Sequence, residues 1–283
     1  VLRRSPPLVA LFVAAALIVA GCGSSSDSGD STTAAGCKPD ELQTHTSGKL
    51  TVATDKPAYP PYFQDNDPTN GKGFESAVAY AIADQLGFSP SQVDWVVEPF
   101  NASYAPGPKD FDFDVNEISI TPARAKQVDF SSPYYEANQA VVALKGSDAA
   151  SATSLSDLSG TTMGVQIGTT SLDAVNEEIQ PSAEPRVYNN SNDVVTALKQ
   201  DQVQAVVVDL PTALYLTSVQ VPDASVVGQF SAPGGDKWGA LLDKDSSLTP
   251  CVSDAIDALR SSGELDRINE RWMSQAAGAP TLN

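Results

Sequence analysis

Residues 49–99 alternate between two hydrophobic periods in an order that leaves the fold little freedom. "KLTVATD" (49–55) sets Leu50 and Val52 two apart and ends at Asp55, the pattern of a strand. "FESAVAYAIADQLGF" then places Phe74, Ala77, Val78, Ala81, Ile82 and Leu86 on one helical face and stops at Gly87. Glycine ends helices readily because it takes a positive φ without a Cβ clash. "QVDWVVEPF" returns to period two with Val93, Trp95 and Val97. A helix crossing between two such strands lays them side by side and parallel, so an α/β sheet is expected.

The alternation recurs after residue 154. "TTMGVQI" reads as a strand, and "GTTSLDAVNEEI" opens a helix whose first turn carries Gly168, Thr169, Thr170 and Ser171. "SNDVVTALKQDQ" is a capped helix with Val194, Val195 and Leu198 on one side. "VQAVVVD" is a continuous apolar run, as in a strand buried on both faces, and it terminates at Asp209 before "LPTALYLTSV" resumes as helix. Two further helices, "LTPCVSDAIDALRSSG" and "ELDRINERWM", are divided by Gly263. The chain thus reads as two βαβ-rich halves. In open α/β sheets functional groups collect at the carboxyl ends of strands. Asp55, Ser119, Arg124, Thr169, Thr170 and Asp209 fall at such ends in both halves, which points to a cleft between two lobes.

Seventeen Lys and Arg against 35 Asp and Glu give a formal charge of −18, a field that repels nucleic acid and excludes it as a partner. In a chain so poor in cations, "NEISITPARAKQVDFSSPYYE" (116–136) draws attention to Arg124, five residues after Ser119 and near Glu117. "FDVNEISI" is strand-like, and Thr121 with Pro122 reads as a helix start. Arg124 would then sit in a first helical turn, where a cation is disfavoured unless an anion answers it.

The first 21 residues stand apart. Arg3 and Arg4 precede the apolar "LVALFVAAALIVA" (8–20), about 13 residues and too short to span a bilayer, which reads as an export signal. It ends in "VAGC", similar to the lipobox of bacterial lipoproteins, so Cys22 is the expected lipidation site. "GSSSDSGDSTTAAG" (23–36) follows as a flexible tether, giving residues 22–36 with Cys22. The remaining cysteines, Cys37 and Cys251, form an even pair in an oxidising compartment, and a disulfide between them is expected. Zinc is not expected, since the single histidine is His45 and no cysteine pair has ligand spacing.

Taken together, "TVATD…YPPYF", "GFESAVAYAIADQLG", "ISITPARAKQVDFSSPYYE", "LSGTTMGVQIGTTS", "VQAVVVDLPTA" and "LRSSGELDRINERW" resemble the successive signatures of the family 3 bacterial solute-binding proteins, the polar amino-acid binders of ABC importers, over roughly residues 48–273. The resemblance implies a periplasmic-binding-protein type II fold: two lobes, each with a mixed, mainly parallel sheet, joined by two hinge crossings. Residues 37–143 and 236–283 would form lobe 1 and residues 144–235 lobe 2. It further implies that Arg124 clamps a ligand α-carboxylate with help from Ser119 and Thr170, and that Asp209 receives the α-ammonium. Tyr59 and Phe100 would line the side-chain pocket, with Asp55, Asn116, Glu117, Gln166 and Thr169 at its wall.

Elementary chemistry agrees with the clamp. A planar guanidinium meets a carboxylate with two parallel charge-assisted hydrogen bonds. Other readings stay open at this point: Asp209 as a cap for the helix starting at Pro211, Tyr59 and Phe100 as core aromatics, and Glu117 paired inside its own lobe. Asp55 and Glu117 add acidity beyond a zwitterion clamp, which favours a basic or strongly polar ligand such as arginine, lysine, ornithine or glutamine. Between Asp55 and Tyr59 there is one residue more than the family usually has, and Pro106 with Pro108 argues for a loop in 101–114.

The function implied is a non-enzymatic, lipid-anchored, extracytoplasmic monomer that needs no cofactor and passes its amino acid to an ABC permease. The alternatives are a dehydratase-like enzyme on the same fold, with Glu117 as acid, and a ligand-sensing module.

Overall fold

The computed structural model describes residues 36–273 and 279–283; the export signal, Cys22 and nearly all of the tether lie outside the described residues. The first sheet contains β1 (Leu50–Thr54), β2 (Val93–Val97), β3 (Phe113–Asp114), β4 (Asp129–Ala137) and β10 (Asp236–Leu242), in the order β2-β1-β3-β10-β4. The second contains β5 (Gln139–Leu144), β6 (Met163–Gln166), β7 (Arg186–Tyr188), β8 (Ala205–Asp209) and β9 (Ala224–Phe230), in the order β7-β6-β8-β5-β9. Each sheet is mixed. In the first, β1 runs parallel to β2 and β3 while β10 is antiparallel to β3 and β4; in the second, β6 runs parallel to β7 and β8 while β5 is antiparallel to β8 and β9.

The βαβ unit at the start of the fold forms as its periodicity predicts. All five residues of β1 are buried, and Leu50 pairs with Val93. Helix α1 (Phe74–Gln85) connects β1 to β2 and buries Phe74, Val78 and Ile82; Gly87 follows with φ of +82°. These side chains share one core with Trp238 of β10 and with Val252 and Ile256 of α6 (Thr249–Ser261). Helix α7 (Glu264–Met273) closes that core with Leu265 and Ile268. In the second lobe, α4 (Ser191–Lys199) and α5 (Leu210–Tyr215) cover one face of the sheet through Val194, Leu198 and Ala213. The short α3 (Thr170–Ala174) packs with Met163 and Val207 on the other face.

Three sequence expectations are corrected. Thr121 and Pro122 do not open an α-helix: β4 begins at Asp129, so the chain makes only a 3-10 turn, Arg124–Lys126, in which the Arg124 amide donates to Thr121 Oγ1 at 3.2 Å. A turn of three residues has no appreciable macrodipole, so Arg124 does not face the positive end of a helix. "FDVNEISI" is not one strand. β3 stops at Asp114, Glu117 turns the chain with φ of +50°, and residues 118–120 rejoin the sheet by bonding β10: Ile120 donates to Lys237 O and Gly239 to Ile118 O. Finally, β5 belongs to the second sheet, so the first crossing is at Asn138, ahead of the expected boundary at 143. The second crossing lies between β9 and β10. Residues 279–283 also sit with the second lobe: Gln229 donates to Pro280 O, and Leu282 is buried against Val227 and Phe230. The prolines in 101–114 act as expected, since α2 is confined to Phe100–Ser103 and a loop follows.

The Cys37–Cys251 disulfide is present, fastening the start of the described chain to α6 across a separation of 214 residues. Replacing both cysteines by serine is expected to cost about 2–5 kcal/mol, as removal of long-loop disulfides does; a urea midpoint unchanged from wild type would contradict it. Asp114 supplies a second test. Fully buried, it accepts from the Ser103 hydroxyl, and burial, with Glu75 and Glu98 adding repulsion, pushes its carboxyl up to about 8. The native state therefore holds a proton that the unfolded chain has released above about pH 4, and stability falls as pH rises toward 8, by up to about 1.4 kcal/mol per pH unit. Asp114→Asn should flatten the loss of stability between pH 5 and pH 8; equal slopes in the two proteins would rule this out.

Candidate functional site

The carboxyl ends of both sheets face one another across a cavity of about 450 Å³. All of the expected ligand-contact residues except Arg124 line it: Asp55, Tyr59, Phe100, Asn116, Glu117 and Ser119 from the first lobe, Gln166, Thr169, Thr170 and Asp209 from the second. Side chains also meet across it. Tyr59 Oη donates to Asn192 Oδ1, Tyr62 Oη lies 2.8 Å from Thr212 Oγ1, and Ser119 Oγ lies 3.3 Å from Thr170 Oγ1.

Arg124 lies behind this lining. It is 7% exposed, and its guanidinium donates to Ser119 O at 2.7 Å and to Gly168 O at 2.9 Å. Its charge is spread over two aromatic faces, Tyr104 at 4.6 Å and Phe100 at 5.4 Å from the ring centroids. Among the described residues no carboxylate lies within ion-pairing distance of it; the pairs present are Lys49–Asp94, Lys244–Asp129, Arg260–Asp257 and Arg267–Glu264. Burial pulls the guanidinium below its ordinary value, while Tyr104, Asp236, Asp173 and Asp209 act to raise it. Gly168 is required where it stands. Its φ is +75°, and a Cβ there would meet Tyr104 Oη at 2.3 Å.

Asp209 ends β8 at the N-terminal position of α5, yet its side chain makes no capping bond. Its Oδ1 accepts from Gln139 Nε2 at 2.6 Å instead. Burial first, then the neighbouring Asp236, hold its carboxyl well above the usual range. The same Gln139 Nε2 reaches Asp236 Oδ2 at 2.6 Å, while Gln139 Oε1 accepts from Ser171 Oγ and Asp236 Oδ2 from Thr170 Oγ1. Gln139 and Asp236 are the first residues of β5 and β10, one directly after each crossing, so a single hydrogen-bonded set ties the hinge to the cavity wall.

Several lining residues are already engaged. Asp55 accepts from the amides of Lys56 and Phe100, anchoring α2 to the end of β1. Thr169 caps α3 by accepting from the Leu172 amide. Gln166 Oε1 accepts from Ser191 Oγ, and Tyr59 leans on Tyr215 at 6.2 Å. Nothing in local sequence pattern marks Gln139 or Asp236, whose roles arise only when both crossings come together. The amide-rich "NNSN" (189–192) carries a faint signal: it ends on α4's first turn and lines the cavity.

On the floor, Glu117 faces the cavity from a left-handed backbone conformation that costs a non-glycine residue about 1–3 kcal/mol. Its amide donates to Glu75 Oε1 at 2.7 Å, which also accepts from Tyr134 Oη. The arrangement presents buried acceptors to the cavity together with hydroxyls and a helix start near Arg124, which suits a ligand carrying both charges.

Residues 50–275 match the family model of the bacterial extracellular solute-binding proteins, family 3. The chain is 30% identical over 238 residues to the arginine-binding extracellular protein ArtP of Bacillus subtilis (strain 168), covering 80% of this chain and 86% of that one. It is 27% identical over 219 residues to the L-cystine-binding protein TcyJ of Escherichia coli (strain K12), covering 76% and 79%. A solved structure of an ancestral arginine-binding protein bound to glutamine is similar with a TM-score of 0.68 and 32% identity, covering 81% of this chain and 99% of that one. With a two-lobed α/β fold and a cavity between the lobes, the chain belongs to the bacterial extracellular solute-binding proteins, family 3.

Proposed function

We propose that the protein captures one polar amino acid, with a basic side chain favoured, between its lobes and hands it to an ABC permease as a monomer, lipid-anchored through Cys22. The observation that carries this reading is the cavity itself, built by strand ends of both sheets, with Asp209 and Thr170 on the wall of the second lobe, Ser119 on that of the first, and the buried Arg124 behind Ser119. Arg124 and Ser119 would take the α-carboxylate, Asp209 the α-ammonium, and Glu117 the far end of the side chain. The relatives named for arginine and cystine, and the ancestral arginine-binding protein solved with glutamine, support a polar amino acid as the class. Capture by hinge motion fits the hydrogen-bonded set around Gln139 and Asp236 at the crossings. No helix among the described residues is long and apolar enough to cross a membrane.

Titration calorimetry of protein stripped of carried-over ligand, against the common L-amino acids, tests the reading. A micromolar ligand corresponds to about −8.2 kcal/mol, and at 100 times its Kd it should stabilise the fold by about 2.7 kcal/mol. No heat with any of them would sink it. Turnover of arogenate or prephenate would favour the dehydratase-like alternative, in which Glu117 acts as an acid.

Two substitutions probe the clamp. Arg124→Lys keeps the charge but loses the planar fork, and should weaken binding at least about tenfold. Asp209→Asn removes a charge-assisted partner of the ammonium and should cost about 1.5–3 kcal/mol of affinity, roughly 10- to 150-fold. Affinity unchanged in either variant would exclude that residue from the ligand's contacts.

A further inference from the structure

The floor of the cavity holds two acids where the room and the neighbours suit only one negative charge. Glu75 leaves the first turn of α1 and is wholly buried, and its Oε2 has no hydrogen-bond partner. Its Oε1 is held by the Glu117 amide and by Tyr134 Oη. The amide hydrogen bond fixes the Glu117 backbone beside the Glu75 carboxyl, and the Glu117 side chain lines the cavity. Beside it Asn116, 8% exposed, lines the same cavity with an unpartnered Nδ2. The other groups that act on this pair are acids or phenols from every side: Asp114 on β3, Asp55 at the end of β1, Asp209 at the end of β8, Tyr134 on β4, and Tyr62 before α1. The guanidinium of Arg124, for its part, bonds Ser119 O and Gly168 O.

Two neighbouring carboxyls, one of them wholly buried and neither paired with a cation, do not both ionise readily. Glu75 has its phenol and amide donors, so the negative charge rests there and the proton rests on Glu117. Burial first, then the charge of Glu75, raise the Glu117 carboxyl well above its ordinary range. A left-handed backbone at a glutamate is a strained way to hold an acid in place, and here the strain aims the Glu117 amide at Glu75.

We propose that Glu75 and Glu117 hold a single proton between them in the empty cavity, and that a ligand with a cationic side chain displaces this proton to solvent, so that its capture is linked to proton release. This rests on the amino-acid reading above and deepens it. A guanidinium or ammonium placed against Glu117 supplies the positive charge that the proton supplied before, and the pair is then fully ionised. A neutral side chain leaves the proton where it is and is met by a carboxylic acid as hydrogen-bond donor. The site therefore separates the two classes by proton count. Below the pH at which the empty pair ionises, affinity for the cationic ligand gains up to about tenfold per pH unit over that for the neutral one.

The test is calorimetry at pH 7 with L-arginine and with its neutral isostere L-citrulline, each in two buffers of different ionisation enthalpy. The heat difference between buffers counts protons released. Because Asp209 also sits in a proton-retaining environment, the readout is the difference between the two ligands, to which the shared α-ammonium contributes equally. Arginine is expected to release about one proton more than citrulline. In Glu117→Gln that difference should vanish, and where citrulline is too weak to titrate, the same one-proton difference is read between wild type and Glu117→Gln with arginine. Equal proton counts, or binding of citrulline or another neutral amino acid but not of arginine, overturn the inference and leave the amino-acid reading standing. Silence with every L-amino acid removes that reading, and the inference with it.

Discussion

The side chain of Gln139 is the contact on which the two-lobed arrangement depends. It is wholly buried, and both ends of its amide are used: Nε2 bonds Asp209 and Asp236, and Oε1 accepts from Ser171. Losing one such bond in a dry setting leaves a buried polar group unsatisfied, which costs more than an ordinary hydrogen bond returns. Because the residue opens β5 directly after the first crossing, while Asp236 opens β10 directly after the second, the two connections between lobes are held in register with each other and with the acid that ends β8. The cavity wall and the hinge are one hydrogen-bonded object.

Around that object the chain gathers carboxyl groups withdrawn from water. Glu75, Asp114, Glu117, Asp209 and Asp236 come from five different elements or turns, and burial is the largest cause raising the carboxyls of Glu75, Asp114, Glu117 and Asp209. A domain does not collect acids this way for stability, since each carboxylate withdrawn from water is a cost unless it is protonated or answered by a cation. On the proposed reading, the distribution would suit a positive guest.

The strands, the crossover helices and the acids at strand ends were legible because each depends on a local period or a short-range stop signal. β1, α1 and β2 lie where Leu50, Phe74–Leu86 and Val93–Val97 predict, and Asp209 closes β8 at the last letter of its apolar run. What escaped depends on distant partners. Glu75 reads as one polar residue in a helical first turn; its burial is decided by Tyr134, 59 residues away, and by Glu117, 42 residues away. The lobe boundary escaped for a related reason. β4 and β5 are separated by Asn138 alone, without glycine or proline, so a change of sheet passes as one extended segment. Thr121–Pro122 misled in the opposite direction, carrying a sound helix-start signal with too few residues before β4 to build a helix.

Gly168 gives Arg124 an internal rival for any guest. Its carbonyl already takes one guanidinium hydrogen bond in the structure described, so a carboxylate taking that donor in the proposed clamp would be credited only with the margin between an ionic acceptor and the neutral one it supplants. A single weak acceptor gains almost nothing by that exchange, whereas a carboxylate engaging the fork with both oxygens gains twice. On the proposed clamp the glycine would make this guanidinium a discriminating anion binder, and its lack of a side chain leaves room beside Tyr104 for its carbonyl to meet Arg124.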